Sequence, residues 1–236
     1  MITVSDVLDF LEGFAPPELA ESWDNVGLLC GDRRSEVTSV LCALDATETV
    51  VQEAIDRGAQ LVVAHHPAIF TSVSRVTSDD ATGRILRLAI RHDISIICMH
   101  TNADCAFGGV NDALASALFL TNVVNMEAGE NGMLGRTGDL PREMQPHEFA
   151  LYVKECLRAG GVRFCDAGKP IHRVAVGGGA CGKMMEILNP EFAERQRQEA
   201  ENKALREEIS ELKAMMAELL KPAERPSTNN PKKQQV

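Results

Sequence analysis

The sequence predicts an α/β fold with parallel strand pairs, and two patterns support this prediction. Short apolar runs alternate with amphipathic segments over the first half of the chain, as in sheets whose strands are connected by helices. The runs LVVA and ISIIC are apolar without alternation, which is typical of strands covered on both faces. With 44% hydrophobic and 25% charged residues, the composition is that of an ordinary globular protein.

The elements of the first half can be placed in order. A helix is predicted over residues 3–14, with Ser5 as its candidate N-cap, and Pro16 ends it. The turn-rich segment SWDNVG then leads into a short apolar strand. The further predictions are a strand over 37–47, a helix over 48–58, a strand over 59–67, a helix over 81–93, a strand over 94–104 and a helix over 111–119.

The second half is predicted to begin with a junction over residues 121–140, which contain four glycines. A helix over 146–160, a strand–turn–strand pattern over 162–182 and the start of a helix at 183 follow.

The character of the chain changes after this pattern. Residues 191–221 contain neither glycine nor proline and are predicted to form a charged helix. The spacing of a coiled-coil seam is kept by Leu205, Ile209, Leu212, Met216 and Leu219. We therefore expect a charged helix at 188–221 and a disordered tail at 222–236.

Charge and cysteine content exclude several classes of protein. The formal net charge of -10 argues against direct nucleic-acid binding, which requires a basic surface. Seven cysteines without a CxxC pair indicate reduced thiols in a cytoplasmic protein. The start of the chain lacks the pattern of a signal peptide, and no apolar run approaches the roughly 20 residues of a membrane span.

Two adjacent histidines, His65 and His66, directly follow an apolar run in the segment AHHPAIF. The carboxyl ends of strands are where open α/β sheets bind ligands. Two buried imidazoles need partners for four ring nitrogens, and a metal ion satisfies part of that need. Pro67 marks the end of the strand, which allows both side chains to converge. The alternative is a pair of hydrogen-bonded histidines that pack a loop.

A second cluster follows the next strand, where His100 ends the apolar run and Asp104 lies four residues later. Because neighbouring strand ends lie close together, we expect these residues to face one cleft with His65 and His66. Imidazoles and a carboxylate form a ligand set suited to Zn, Fe, Mn or Ni. The alternative is that Asp104 caps a turn and His100 belongs to the core.

Other motifs point less strongly to a site. Asp24 and Asn25 lie in a predicted turn, where they either order the loop or form the rim of the metal cleft. The spacing GxxxxGK occurs at 177–183, but Met184 replaces the Ser or Thr of a phosphate-binding loop. A glycine turn for close packing is the better interpretation. No GxSxG motif occurs, and Cys105 lacks the partners of a catalytic nucleophile.

Several segments together resemble the Nif-three-like family, whose members are commonly named GTP cyclohydrolase 1 type 2 homologues. The resemblance covers roughly residues 1–187 and rests on WDNVGLLCG, LVVAHHPAIF, MHTNADCAFGGVND, LGRTGDL and VAVGGGACG. It implies a two-lobed α/β fold with mixed sheets, two divalent metal ions per chain and a ring-shaped homo-oligomer, typically a hexamer. It also implies that His65, His66 and Asp104 are metal ligands and that His100 contributes nearby.

The sequence departs from the family pattern near its end. The family completes its metal site with a histidine and a glutamate near a GHxxTE-like motif, whereas no histidine follows His172 here. The resemblance therefore implies an N-terminal lobe at 1–125, a partial second lobe at 126–187 and fewer than two metal ions per chain. The charged helix over 191–221 takes the place of the late strands and offers possible coiled-coil contacts.

Three functions stay open at this point. The first is a metal-dependent hydrolase that acts on a nucleotide or a phosphorylated small molecule, with His100 as a proton carrier. The second is a metal-binding, oligomeric interaction protein without turnover. The third is a truncated chimeric chain with an impaired site.

Overall fold

The computed structural model of the chain describes residues 1–126 and 133–179 and, farther along, residues 198, 201–203, 205–210 and 212–213. The chain divides into two compact units, Met1–Met184 and Met185–Val236. Among the described residues, no helix combines the length and the apolar character needed to cross a membrane.

A four-stranded mixed sheet forms the first part of the larger unit. Its strands are β1 (Gly27–Cys30), β2 (Val40–Asp45), β3 (Leu61–His66) and β4 (Ser95–Cys98), in the order β1-β4-β3-β2. Strands β2, β3 and β4 are parallel, and β1 pairs with β4 in the antiparallel direction. The helices of this part are α1 (Val4–Phe14), α2 (Glu48–Asp56) and α3 (Ala81–Arg91), with a 3-10 turn at Pro17–Leu19.

Both faces of this sheet are covered, which explains the apolar runs in its central strands. Val62 and Ile96 pack in one buried cluster with side chains from α2 and α3. Leu61 and Ile97, the neighbours of Val62 and Ile96, pack on the opposite face with α1. Since successive side chains of a strand point to opposite faces, both sets must be apolar.

A three-stranded antiparallel sheet forms the second part of the same unit, in the order β5-β6-β7. Its strands are β5 (Thr121–Asn125), β6 (Arg136–Met144) and β7 (Ile171–Val176). The connecting helices are α4 (Thr101–Cys105), α5 (Val110–Ala117) and α6 (Pro146–Cys156). One mixed and one antiparallel sheet with helices confirm the predicted α/β fold class. The predicted domain boundaries stay predictions.

Several predicted elements differ from the structure. The N-cap of α1 is Thr3 rather than Ser5, because Thr3 and Asp6 satisfy each other's backbone N–H groups in a capping box. The strand predicted over 94–104 ends at Cys98, and residues Thr101–Cys105 turn into the short helix α4. Asp104 therefore lies on a helix and not at a strand end.

The prediction of a junction over 121–140 was wrong, since β5 and half of β6 lie there. Gly138 belongs to β6, where an added Cβ would lie 3.0 Å from Leu120 Cβ and from the Thr121 carbonyl oxygen. The glycine there permits close strand packing and does not break the strand. Residues 162–168, predicted to start a strand, have no regular secondary structure.

The predicted C-terminal helix is described only at some positions. Residues 201–203, 205–210 and 212–213 are helical, and the exposed hydrophobic side chains among them are Leu205, Ile209 and Leu212. The helix start at 183, the remaining seam positions and the tail lie outside the described residues.

Candidate metal centre

The carboxyl edge of the parallel strands gathers the candidate residues. His65 and His66 are the last two residues of β3, and His100 follows β4 by two residues as the N-cap of α4. Asp104, on α4, is turned back toward the same edge, with its Oδ1 atom 3.8 Å from His65 Nε2. The structure thus brings together all four residues that the sequence selected.

The three imidazoles form one compact cluster. Each offers a ring nitrogen, and these atoms lie within 4.8 Å of one another. The ring centroid of His65 lies 5.0 Å from that of His66 and 5.2 Å from that of His100. His66 and His100 are 5.6 Å apart in the same measure.

Each of the three rings is held at its Nδ1 atom by an oxygen. His65 Nδ1 lies 2.9 Å from the Met99 carbonyl oxygen, which can only accept, so this nitrogen carries the hydrogen. His66 Nδ1 lies 2.7 Å from Asp45 Oδ1 and His100 Nδ1 lies 2.8 Å from Asp24 Oδ1. With Nδ1 protonated, neutral imidazole keeps its lone pair on Nε2, which is the arrangement of metal-binding histidines.

Asp104 contributes a buried carboxylate beside the histidine cluster. Its side chain is 9% exposed, and Oδ1 is buried without a hydrogen-bond partner among the described residues. Burial raises the pKa of Asp104, while the nearby His65 and His100 act to lower it. A buried acceptor without a partner is costly, and a bound cation would remove that cost.

Asp24 fixes His100 from beneath. Its side chain is fully buried and accepts hydrogen bonds from His100, from the Thr101 backbone N–H and from the Thr101 hydroxyl. Burial alone would raise the pKa of Asp24, but these bonds outweigh it and lower the pKa to about 2. The same contact raises the pKa of His100.

Residues of α5 and of the second sheet hold the α4 segment in place. Asn111 donates from Nδ2 to the Asp104 carbonyl oxygen at 3.0 Å and accepts from the Gly178 backbone N–H at 2.8 Å. Arg136, which is buried, donates to the carbonyl oxygens of Cys105 and Ala106. The position of Asp104 therefore depends on contacts from β6 and from the loop after β7.

The glycine loop after β7 lies beside the carboxylate. A Cβ added to Gly178 would come within 3.8 Å of Asp104 Oδ1 and 3.4 Å of Val110 Cγ1. These are ordinary van der Waals distances, so the packing at Gly178 does not itself require a glycine, and the interpretation of the loop as a packing turn stays a prediction. Gly182 and Lys183 of the GxxxxGK spacing lie outside the described residues.

A sequence model of the family described as Duf34/NIF3 (NGG1p interacting factor 3) matches residues 2–193. The chain belongs to this family. The match confirms the resemblance inferred from the five sequence segments.

Curated and structural relatives of this Duf34/NIF3 chain agree with that result. A GTP cyclohydrolase 1 type 2 homolog of Clostridium perfringens is 35% identical over 181 residues, which cover 75% of this chain and 69% of the relative. A crystal structure of the Staphylococcus aureus protein SA1388 matches with a TM-score of 0.70 and 30% identity, over 79% of this chain and 76% of that one. A Bacillus cereus protein related to NIF3 matches with a TM-score of 0.68 and 27% identity, over 75% and 77%.

Sequence reasoning missed the residues that orient the histidines. Asp24 was expected to order its own turn or the rim, and it does accept from the Asn25 backbone N–H, but its main contacts are to His100 and Thr101. Asp45 was not selected, although it ends β2 directly beside His66 in the parallel register. The rule that selected the histidines, a polar residue at the carboxyl end of a parallel strand, would also have selected Asp45.

The surroundings of Cys105 do not favour a reactive thiolate. Its side chain is buried, and burial raises the pKa of the thiol to about 11. A thiol that stays protonated is a poor nucleophile.

Proposed function

We propose that the chain binds a divalent metal ion through Nε2 of His65, His66 and His100 and through the carboxylate of Asp104. We propose further that the chain is a hydrolase that depends on this ion. The proposed substrates are nucleotides or phosphorylated small molecules. One observation carries the proposal: all three imidazoles have Nδ1 within hydrogen-bond distance of an oxygen and share one cluster of ring nitrogens. This pattern orients Nε2 lone pairs for a metal, as in known histidine sites.

The distance between one pair of the donors supports their sharing one ion. Metal bonds to histidine nitrogen and carboxylate oxygen are about 2.1 Å long, so two donors of one ion lie up to about 4.2 Å apart. The 3.8 Å between His65 Nε2 and Asp104 Oδ1 is within this limit. The buried, unpartnered Oδ1 of Asp104 supports the same assignment. The donor set suits Zn²⁺, Fe²⁺, Mn²⁺ or Ni²⁺.

A bound divalent ion would supply Lewis acidity and lower the pKa of a water molecule. The residues of the chain do the positioning: Asp45 and Asp24 orient His66 and His100, and Asp104 balances the charge. The contact between His100 Nδ1 and Asp24 Oδ1 leaves Nε2 of His100 as the nitrogen for the ion.

The name of the curated relatives, GTP cyclohydrolase 1 type 2 homolog, favours a nucleotide as the first substrate to test. The assay measures hydrolysis of GTP and of p-nitrophenyl phosphate by chain stripped of metal and reloaded with each of the four ions. We expect turnover with at least one ion and none after chelation. The variant His65→Ala/His66→Ala should be inactive, whereas His92→Ala, an exposed histidine outside the cluster, should keep full activity.

A second candidate, metal binding without turnover, is favoured by a separate observation. The described donors form one cluster, whereas two-metal hydrolysis requires two ions about 3.5–4 Å apart. In that case, the chain would act as a metal-binding member of a homo-oligomer, and family membership makes a ring-shaped hexamer the assembly to test. Metal bound at the cluster with no turnover of either substrate would favour this candidate over the hydrolase.

A further inference from the structure

An exposed aromatic pair lies directly beside the histidine cluster. Trp23 and Phe70 are each 54% exposed, and their ring centroids are 6.0 Å apart with an interplanar angle of 57°. The ring of Trp23 also contacts His100, at a centroid distance of 6.3 Å. A continuous aromatic surface thus leads from solvent to the proposed metal ligands.

Both loops that carry the pair are fixed in place. Asp24, next to Trp23, is anchored by its buried bonds to His100 and Thr101. The side chain of Asn25 donates from Nδ2 to the carbonyl oxygen of Ile69 at 2.6 Å, which ties the two loops together. Other exposed aromatic side chains, such as Phe107 and Phe119, are not in ring contact with this cluster. Preorganised rings lose little entropy when a ligand stacks on them.

A cavity adjoins the pair on the side of Phe70. It has a volume of about 310 Å³, and its lining includes Phe70 and Arg75 together with the hydroxyl-bearing residues Thr71, Ser72 and Ser74. The carboxylate of Asp80, which also lines it, accepts a bond from the Gly83 backbone N–H. A guanidinium among hydroxyl groups is suited to a phosphate group.

We propose that Trp23 and Phe70 form a stacking subsite for the heteroaromatic ring of a nucleotide, and that the Arg75 cavity receives its phosphate. This inference rests on the proposed function, since it names the substrate class of the same site. Base–aromatic stacking tolerates different bases, because every base has a flat π-face. The subsite therefore recognises a ring as such, and AMP binds it about as well as GMP.

The test uses Trp23 itself, which is the only tryptophan of the chain. Its fluorescence is titrated with GMP, AMP, guanosine and ribose 5-phosphate, with free tryptophan as the optical control and calorimetry for the affinity. We expect GMP, AMP and guanosine to quench the fluorescence saturably and ribose 5-phosphate to bind at least tenfold more weakly than GMP. Equal affinity for GMP and ribose 5-phosphate would overturn the stacking subsite.

Three variants separate the ring from the phosphate. Phe70→Leu should weaken GMP and guanosine alike by about tenfold, and Arg75→Gln should weaken GMP but not guanosine. Phe164→Leu is the matched control, because Phe164 is 47% exposed and its ring contacts His147 instead; it should change neither affinity. Unchanged affinities in Phe70→Leu would overturn the stacking subsite, and an unchanged GMP affinity in Arg75→Gln would overturn the phosphate assignment.

The stacking subsite and the metal site can be tested independently of each other. GMP binding that depends on Phe70 in the metal-free His65→Ala/His66→Ala variant supports the subsite, whatever the metal content of the intact chain. Metal bound at the histidines with no nucleotide response of Trp23 supports the metal site and overturns the subsite.

Discussion

At Asp24 a single buried carboxylate decides the orientation of His100. Its Oδ1 accepts from the imidazole, and its Oδ2 accepts from both the N–H and the hydroxyl of Thr101. Asp24→Asn places an NH₂ group against one of these donors, so one buried bond must be lost. We expect metal affinity, measured by calorimetry, to fall by roughly 10- to 100-fold, and the free energy of unfolding to fall by about 2 kcal/mol.

Asp45→Asn is the comparison for that prediction. Asp45 is exposed and bonds only to His66 among the described contacts, so the amide oxygen can still accept from Nδ1. Its effect on stability should be within about 0.5 kcal/mol. Equal losses of stability in the two variants would contradict the assigned role of Asp24.

At this scale the sequence predicts donors better than the groups that orient them. His65, His66 and His100 follow apolar runs, which is a local signal. The contact between Asp24 and His100 joins residues 76 positions apart, and it depends on β1 lying antiparallel beside β4. No local pattern carries that pairing.

The short helix α4 is placed by close contact with the start of α5. Gly109 is the N-cap of α5, and an added Cβ would lie 2.0 Å from the carbonyl oxygen of Ala103. Gly109→Ala must therefore push the two helices apart and move Asp104. We expect the free energy of unfolding, measured by thermal unfolding, to fall by about 2 kcal/mol. We also expect weaker metal binding.

Gly13→Ala provides the control within another helix, α1. Nothing lies within 4 Å of the added Cβ, and alanine favours the helix over glycine, so stability should rise by about 0.5–1 kcal/mol. An unchanged free energy of unfolding in Gly109→Ala would show that the close contact between α4 and α5 does not contribute to stability.

The ion pair between the buried Arg136 and the partly buried Asp112 connects β6 to α5. Burial alone would raise the pKa of Asp112, but the bonds from Arg136 and from the Gly108 N–H outweigh it and lower the pKa. Asp112→Asn should lower the free energy of unfolding by about 2 kcal/mol at neutral pH. The exposed Asp9→Asn should have almost no effect.

The pH dependence of this difference follows from the lowered pKa. The contribution of the charged Asp112 is fully present above the unfolded pKa of about 3.9 and is lost as the pH falls through the lower folded pKa. The difference in the free energy of unfolding between wild type and Asp112→Asn, measured by chemical denaturation, should therefore become smaller below about pH 4. A difference in unfolding free energy that stays constant down to about pH 2 would contradict this role of the charged Asp112.

Element predictions succeeded where burial made a strand apolar on both faces, as in β3 and β4. They failed for β5, whose five residues are all exposed, because an exposed edge strand lacks that apolar signature. They failed again at α4, since a five-residue helix is too short to show a helical period.

At the scale of the whole molecule, the C-terminal segment offers a test of assembly. Leu205, Ile209 and Leu212 are exposed on helical residues at the spacing of a coiled-coil seam. If the seam joins copies of the chain, Leu205→Lys/Leu212→Lys should lower the particle mass measured by light scattering. Glu207→Gln/Glu208→Gln changes the net charge equally and should leave the mass unchanged; an unchanged mass in both variants would exclude a role for the seam.

The fold class could be predicted because the order of strands and helices follows from local patterns. The joining of the two sheets could not, since it depends on single polar contacts such as Arg136 to the carbonyl oxygens of Cys105 and Ala106. The proposed metal centre depends on both kinds of information. Local sequence patterns predict its donor residues, and contacts between residues far apart in the sequence position them.

Metal content of the purified chain, measured by elemental analysis, tests the central claim most directly. We expect about one divalent ion per chain, lost in His65→Ala/His66→Ala and kept in His92→Ala. An intact chain without metal after loading, or a double variant that keeps its ion, would contradict the proposed centre.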